Sequence, residues 1–177
     1  LHYYIPQWLK AIAEKDLEFA FKLSNEPSPF PEVMGRICPH DRLCEGDCTL
    51  NDGHGAITIG SIETYINEEG FKQGMKPEFP GVTSDKKVAV VGSGPAGLSV
   101  ATYLLRAGSG VDMYEKADRA GGLLTYGIPG FKLDKKVVER RVRGLLAAGM
   151  NLHLNCEVGK YIIFDDISSG DSKMVFR

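Results

Sequence analysis

Three cysteines lie within eleven residues and are the most chemically specific feature of the sequence. Cys38, Cys44 and Cys48 follow the spacing CxxxxxCxxxC, and Gly46 gives the backbone between them freedom to wrap around a metal. Thiolates are ligands of iron and zinc, whereas an odd group of thiols is a poor disulfide framework. The spacing predicts a metal site, of iron or of zinc, whose remaining ligand comes from elsewhere. The fourth cysteine, Cys156, alternates with Leu152 and Leu154 along a predicted strand and is expected to be a core residue.

A glycine-rich turn follows the apolar run at residues 87–91. Gly92 permits a tight turn, Gly94 lets a pyrophosphate approach the backbone, and Gly97 lets the next helix pack closely on the strand. A helix beginning at Pro95 directs its free N–H groups and its positive dipole end toward the phosphates. The candidate phosphate loop comprises Gly92, Ser93, Gly94, Pro95, Ala96 and Gly97.

An acidic residue stands where a dinucleotide-binding fold needs one. Glu115 ends the next apolar run, 18 residues after Gly97, where a carboxylate can accept hydrogen bonds from both ribose hydroxyls of an adenosine. The glycine pair Gly121-Gly122 follows and suits a cofactor that lies extended along the sheet, which favours FAD over a nicotinamide cofactor. The pair is alternatively only a mobile loop, and generic spacing leaves both interpretations open.

A stretch rich in proline, glycine and polar residues separates two kinds of sequence. We take residues 1–76 as a helical domain, residues 77–86 as a linker and residues 87–177 as the first part of an α/β domain. The helical domain must position the cysteines, and the α/β domain must position the glycine loop and Glu115.

In the helical domain, the apolar periodicity predicts helices that begin near Pro6 and Asp16. A third helix is predicted to begin at residues 60–61. Its buried face carries Ile59, Ile62 and Ile66. Between the second and third helices, Pro27, Pro29 and Pro31 predict an extended loop that continues into the cysteine segment.

The second domain alternates strands and helices. We predict strands at residues 87–91, 111–115 and 151–158, and helices at residues 95–107 and after Asp134. A strand, helix, strand order with short connections is typical of a parallel sheet.

Composition limits the classes of function. The chain has 21 Lys and Arg against 23 Asp and Glu, a net charge of -2, and no basic stretch, which argues against a nucleic-acid partner. Its apolar runs are too short to cross a bilayer, which argues against an integral membrane protein. With clustered thiols and no signal peptide, we expect a reducing, cytoplasmic compartment.

Six phrases of the sequence together resemble the family of small (β) subunits of NADPH-dependent glutamate synthase. The same module begins dihydropyrimidine dehydrogenase. The phrases run in one order along nearly the whole chain, which makes them far more specific than the glycine loop alone. They are IPQW at 5–8, PEVMGRICP at 31–39, RLCEGDCTL at 42–50, IGSIE at 59–63, GGLLTYGIP at 121–129 and FKLDK at 131–135.

The resemblance implies an α+β chain in two parts. An N-terminal α-helical iron–sulfur domain is followed by a Rossmann-like α/β domain with a parallel sheet that binds FAD, and we expect the chain to be incomplete at both ends. In the family, electrons pass from NADPH to FAD and then through [4Fe–4S] clusters. The implied partner is the large glutamate synthase subunit or a similar electron-acceptor protein, with no nucleic acid and no membrane.

The resemblance also implies roles for particular residues. Cys38, Cys44 and Cys48 match cluster ligands, and Glu63 stands where relatives place a ligand other than cysteine. Beyond the phosphate loop, the positions implied to contact FAD are Glu115, Lys116, Gly121, Gly122, Leu123, Lys132 and Val158, whose backbone would meet the adenine. The first cysteine group of the family is expected just before Leu1, so we expect the cluster ligand set to be incomplete here, and NADPH to act only through a region not present in this chain.

Two other interpretations remain open from the sequence. One is a truncated, non-catalytic module that docks to another subunit, and the other is a zinc-stabilised nucleotide-binding protein. No acid–base catalyst is identified, and the chain alone is not expected to be competent for catalysis.

Overall fold

The structure is a computed structural model that describes residues 3–162, residue 167 and the backbone of residues 172–176. The chain divides into two compact units, residues 1–77 and 78–177. Among the residues that the structure describes, no helix is long and apolar enough to cross a lipid bilayer.

The described part of the first unit is helical. Its α-helices are α1 (Ile5–Ala13), α2 (Leu17–Asn25), α3 (Pro31–Ile37) and α4 (Ile59–Lys72), and a 3-10 turn spans His40–Arg42. The predicted beginnings of the first two helices are confirmed, since a proline occupies the first turn of α1 and the Asp16 carboxylate caps α2 by accepting the Phe19 N–H at 3.0 Å.

The segment before the cysteines differs from the prediction. Pro27, Pro29 and Pro31 predicted an extended loop, but α3 begins at Pro31. A proline fits the first turn of a helix because its missing N–H would have no partner there. Cys38 therefore caps the end of a helix, and its N–H donates to the Met34 carbonyl at 3.1 Å.

The apolar core of the first unit lies between α1, α2 and α4. Phe21 meets Phe71 edge to face, with ring centroids 5.3 Å apart. The buried apolar side chains of this core are Trp8, Ala11, Ala20, Phe21, Leu23 and Ile66.

The buried face of α4 is more polar than expected. Of the predicted Ile59, Ile62 and Ile66, only Ile66 is fully buried, and Glu63 and Asn67 share the buried face with it. The Asn67 amide is satisfied there, because its Nδ2 donates to the Ser24 hydroxyl at 3.1 Å and its Oδ1 accepts from Asn25 at 2.8 Å. The spacing of apolar residues could not predict these buried polar side chains. They can be buried because residues of α2 supply their hydrogen-bond partners.

The second unit is built on a parallel sheet. Its strands are β1 (Lys87–Val91), β2 (Gly110–Tyr114), β3 (Met150–His153) and β4 (Ser172–Phe176), in the spatial order β3-β2-β1-β4. Every recorded pairing is parallel, with Val88 beside Val111 and Val111 beside Met150. Strand order therefore reverses at β1, and ligands of open α/β sheets bind at the carboxyl ends of the strands beside such a reversal.

In the described part of the chain, three helices lie between β1 and β3. They are α5 (Pro95–Arg106), α6 (Leu123–Tyr126) and α7 (Lys135–Ala147). The predicted strand at residues 87–91 is confirmed at both ends, and α7 begins after Asp134, whose carboxylate caps it through the Lys136 N–H at 2.9 Å. The short α6 and β4 were not predicted.

The third strand is shorter than predicted. It ends at His153, so Cys156 lies beyond it and is only half-buried rather than a core residue of the sheet. The Cys156 N–H instead donates to the Glu115 carbonyl at 2.8 Å, which ties the chain after β3 to the end of β2.

Candidate functional site

The turn between β1 and α5 has the geometry that a phosphate loop needs. Gly92 has φ +96°, a conformation that favours glycine, and Gly94 is the N-cap of α5 with no side-chain cap on the first turn. A Cβ at Gly97 would lie 2.0 Å from the Gly92 carbonyl oxygen, so only glycine permits this close approach. The predicted reasons for the first and third glycines agree with these contacts.

Gly94 faces open space at the N-terminus of α5. A Cβ built there would meet no heavy atom within 4 Å. The N–H groups and positive dipole end of a helix favour an anion at such a position. The loop therefore fits the pyrophosphate of a dinucleotide.

Glu115 directly follows β2, is 6% exposed, and is bound by donors of its own chain. Its Oε2 accepts from the Ser93 N–H at 2.9 Å and from the Ser93 hydroxyl at 2.5 Å, and its Oε1 accepts from the Ala117 N–H at 2.9 Å. Burial alone raises the pKa of Glu115, but these hydrogen bonds and the charge of Lys116 outweigh it and hold the pKa below its ordinary value.

The hydrogen bonds limit what Glu115 can still accept. An ionised carboxylate offers about four acceptor positions, and the amide and hydroxyl of Ser93 and the amide of Ala117 occupy three of them. The sequence alone suggested two ribose hydroxyls as its partners, whereas this geometry leaves about one position for a ligand.

The second glycine pair is docked on the phosphate loop. The Gly121 N–H donates to the Ser93 carbonyl at 3.0 Å and lies 3.2 Å from the Ser93 hydroxyl oxygen. A Cβ at Gly122 would lie 2.8 Å from the Gly94 Cα. Gly122 also has φ +51° and ψ −126°, which favours glycine. The alternative of a mobile, purely connecting loop does not describe this packing.

Lys135 fixes the other end of the segment that carries the glycine pair. Its ammonium group donates to the Leu124 carbonyl at 2.9 Å and to the Ile128 carbonyl, both near the end of α6. Cations stabilise the carbonyl end of a helix. No local sequence pattern assigns this role to Lys135, because the two carbonyls reach it only through the packing of α6 beside α7.

The remaining positions implied to contact FAD surround this loop or lie outside it. Pro95 and Ala96 are exposed at the start of α5, Leu123 is 71% exposed, and Lys116 and Lys132 are exposed. Val158 forms a single parallel bridge with Ile162. Contact of these residues with a cofactor stays a prediction.

In the first unit, His40 links the cysteine loop to α3. Its Nε2 lies 3.0 Å from the Gly35 carbonyl oxygen, and its Nδ1 lies 3.6 Å from Cys44 Sγ. A Cβ at Gly60 would meet the His40 ring at 2.1 Å, so the ring lies against the start of α4. No pattern in the sequence predicted this packing of His40.

The buried carboxyl of Glu63 lies close enough to two of the thiols to influence their pKa values. Burial raises the pKa of Glu63 to about 7, against a lowering by its hydrogen bond from the Tyr3 hydroxyl, and the charge of Glu32 raises it further. Burial likewise raises the pKa of Cys38, followed by the charges of Glu63 and Cys44. The pKa of Cys44 is also raised, first by burial. These electrostatic effects place Cys38, Cys44 and Glu63 in one neighbourhood.

The donor types suit an iron–sulfur cluster, but the described residues do not assemble a metal site by themselves. Within residues 3–162 no group of three or more His, Cys, Asp or Glu side chains is close enough to hold a metal ion. All four cysteines are free thiols. The assignment of Cys38, Cys44, Cys48 and Glu63 as ligands therefore stays a prediction.

Comparison with known families gives a different match for each of the two units. Residues 1–75 match the family described as dihydropyrimidine dehydrogenase domain II, 4Fe-4S cluster. Residues 90–149 match the family described as NAD(P)-binding Rossmann-like domain. The fold class expected from the sequence, a helical iron–sulfur domain followed by a Rossmann-like domain, is confirmed.

The chain is also similar to curated proteins along most of its length. It is 48% identical to the glutamate synthase [NADPH] small chain of Escherichia coli over 96% of this chain and 36% of that protein, and 52% identical to that of Azospirillum brasilense over 88% and 33%. It is 48% identical to the putative oxidoreductase AegA of Escherichia coli over 94% and 26%. The chain thus spans about a quarter to a third of the length of these relatives. Within that span it is similar to the glutamate synthase small chains, and its two regions match a 4Fe-4S family and a Rossmann-like family.

Proposed function

We propose that this chain is part of an iron–sulfur flavoprotein oxidoreductase of the glutamate synthase small-chain type. In this proposal electrons pass from NADPH through FAD and [4Fe–4S] clusters, in support of glutamate synthesis. One observation carries it: the same chain that matches a 4Fe–4S family also joins a glycine turn, a buried acid and a second glycine pair at the carboxyl end of a parallel sheet.

The domains follow from the same reasoning. We assign residues 1–76 to the iron–sulfur domain, residues 77–86 to a linker and residues 87–177 to the first part of the FAD domain.

The residues of the second unit hold and orient the cofactor in this proposal. The N-terminus of α5 and the backbone of Gly94 bind the pyrophosphate, and Glu115 accepts a hydrogen bond from a ribose hydroxyl. When bound, FAD accepts a hydride and passes electrons on one at a time, while the protein supplies position and electrostatics. In the first unit, Cys38, Cys44, Cys48 and Glu63 supply part of a cluster ligand set.

The partner is a protein that accepts electrons. We propose the large glutamate synthase subunit or a similar acceptor, because the similarity is as strong to a putative oxidoreductase as to a glutamate synthase small chain, both at 48% identity. The four free thiols agree with a cytoplasmic, reducing location.

Anaerobic titration of the natural full-length protein with NADPH tests the proposal. We expect the flavin absorption to bleach and an iron–sulfur signal to appear in electron paramagnetic resonance. Isolated large glutamate synthase subunit should then reoxidise the protein in the presence of its substrates, and an unrelated ferredoxin serves as the control acceptor. A protein that keeps its oxidised spectrum with excess NADPH contradicts the proposal.

A further inference from the structure

Ser93 lies where three parts of the dinucleotide site meet. Its side chain is fully buried, with 0% exposure. Its N–H and its hydroxyl both donate to Oε2 of Glu115, at 2.9 and 2.5 Å. Its carbonyl and hydroxyl oxygens both face the Gly121 N–H, at 3.0 and 3.2 Å. One residue of the phosphate loop thereby touches the acid and the second glycine pair together.

The hydrogen bonds around Ser93 run in a single direction. A hydroxyl has one proton to donate and two lone pairs to accept with. Its proton points to the Glu115 carboxylate, so a lone pair is turned toward the Gly121 N–H. Hydrogen bonds to an ionised group are strong, and neighbouring hydrogen bonds polarise each other. This row of hydrogen bonds, from Gly121 through Ser93 to Glu115, therefore resists rearrangement.

The position of Glu115 depends on these contacts. Two of its three protein donors belong to Ser93 and the third is the Ala117 N–H. Together they fix the carboxylate and decide which acceptor position stays available to a ligand. On the other side, the Gly121 bond keeps Gly122 within close contact of Gly94, beside the open N-terminus of α5.

We propose that Ser93 is a positioning residue whose hydroxyl joins the phosphate loop, Glu115 and the second glycine pair into one preformed cradle, and so sets how strongly the site recognises the adenosine ribose. This inference rests on the proposed function, in which the cradle holds FAD. Preorganisation of this kind strengthens binding because the loops are ordered before the ligand arrives.

A merely structural serine would behave differently. If Ser93 only filled space, its replacement would weaken the binding of every ligand of the site by a similar factor. If it orients Glu115, its replacement acts on ligands that carry ribose hydroxyls and spares those that lack them. The ratio of two affinities therefore separates the two roles.

The test uses the natural full-length protein, stripped of flavin and titrated with FAD and with an FAD analogue built on 2′,3′-dideoxyadenosine. We expect the unaltered protein to prefer FAD clearly. In Ser93→Ala we expect FAD affinity to fall by about tenfold to a hundredfold, the range typical for a hydrogen bond to a charged group, and the preference over the analogue to collapse toward one. The matched control is Ser99→Ala on the partly exposed side of α5, which should change neither value.

The outcomes are distinguishable. Loss of affinity for both flavins by the same factor in Ser93→Ala, or no loss, overturns the role of Ser93 while the proposed function stands. Absence of flavin binding in the unaltered protein overturns the proposed function and this inference with it. If Ser93→Ala does not fold, Glu115→Gln replaces it in the test, and a preference for FAD that survives in that variant overturns the inference.

Discussion

A buried carboxylate is tolerated in this fold because its oxygens are occupied by hydrogen-bond donors. Glu115 is 6% exposed, yet the hydrogen bonds from Ser93 and Ala117 keep the pKa of its carboxyl low. A charge that is this well solvated by the protein can be buried at a moderate free-energy cost. The same donors would lose their partner if the carboxylate were removed.

Glu115→Ala should therefore weaken FAD retention and also destabilise the second unit. We expect FAD affinity to fall by about tenfold or more, and the free energy of unfolding to drop by about 1–3 kcal/mol, because buried donors are left unsatisfied. Flavin content after gel filtration and denaturant unfolding measure the two effects. Iron content should not change, and a proportional loss of iron would contradict the separate assignment of the two cofactors to the two domains.

The thiols give a second prediction for single residues. Cys44→Ser should lower the iron bound per chain, because serine is a poor substitute for a thiolate ligand of iron. Cys156→Ser is the matched control, since Cys156 is a half-buried thiol in the other unit and is expected to leave iron unchanged. Iron content that is equal in the Cys44→Ser variant and the unaltered protein would remove Cys44 from the ligand set.

At the scale of elements, two glycines of one turn have opposite reasons to lack a side chain. At Gly97 a Cβ would collide with the Gly92 carbonyl oxygen at 2.0 Å, whereas at Gly94 it would meet nothing within 4 Å. The lack of a side chain at Gly97 allows α5 to pack against the end of β1. The lack of a side chain at Gly94 leaves space open for a ligand.

Gly97→Ala should consequently destabilise the fold, and Gly94→Ala should not. The backbone of Gly94, with φ −67° and ψ −177°, is one that alanine adopts readily. We expect Gly94→Ala to unfold like the unaltered protein in denaturant but to lose most of its FAD affinity, because the methyl group occupies the pyrophosphate position. Each variant is the other's control. Equal FAD affinity in Gly94→Ala and the unaltered protein would show that the ligand does not approach this loop.

Some elements could be predicted from the sequence because their pattern is local. The apolar run of β1 and the carboxylate caps of α2 and α7 depend on neighbouring residues only. The beginning of α3 at Pro31 could not be predicted, because three closely spaced prolines indicate a loop. Only the structure shows that the third of them occupies the first turn of a helix, where proline is tolerated. The helix α6 was missed because its four residues are too few for a periodic pattern.

The candidate site divides in the same way. Glycine spacing identified Gly92 to Gly97, and strand spacing identified Glu115. The bonds from Ser93 to Glu115 and Gly121 could not be predicted, since they join residues 22 and 28 positions apart in sequence. The hydrogen bond between Tyr3 and Glu63 is likewise a product of tertiary structure, as its partners are 60 positions apart.

At the scale of the whole chain, two units of different architecture carry two kinds of chemistry. The unit at residues 1–77 holds three of the four cysteines and is helical where the structure describes it, and the unit at residues 78–177 holds the parallel sheet and the glycine loops. Each unit matches a separate known family, at residues 1–75 and at residues 90–149. The chain thus pairs a thiol-rich unit with a unit that has the Rossmann-like features of a dinucleotide site.

Absorption spectroscopy together with metal and flavin analysis of the natural full-length protein, purified without oxygen, tests whether one protein carries both kinds of cofactor. We expect flavin bands on a broad iron–sulfur absorption, with FAD released on denaturation and several irons per chain. A colourless protein that contains stoichiometric zinc and no flavin would contradict it.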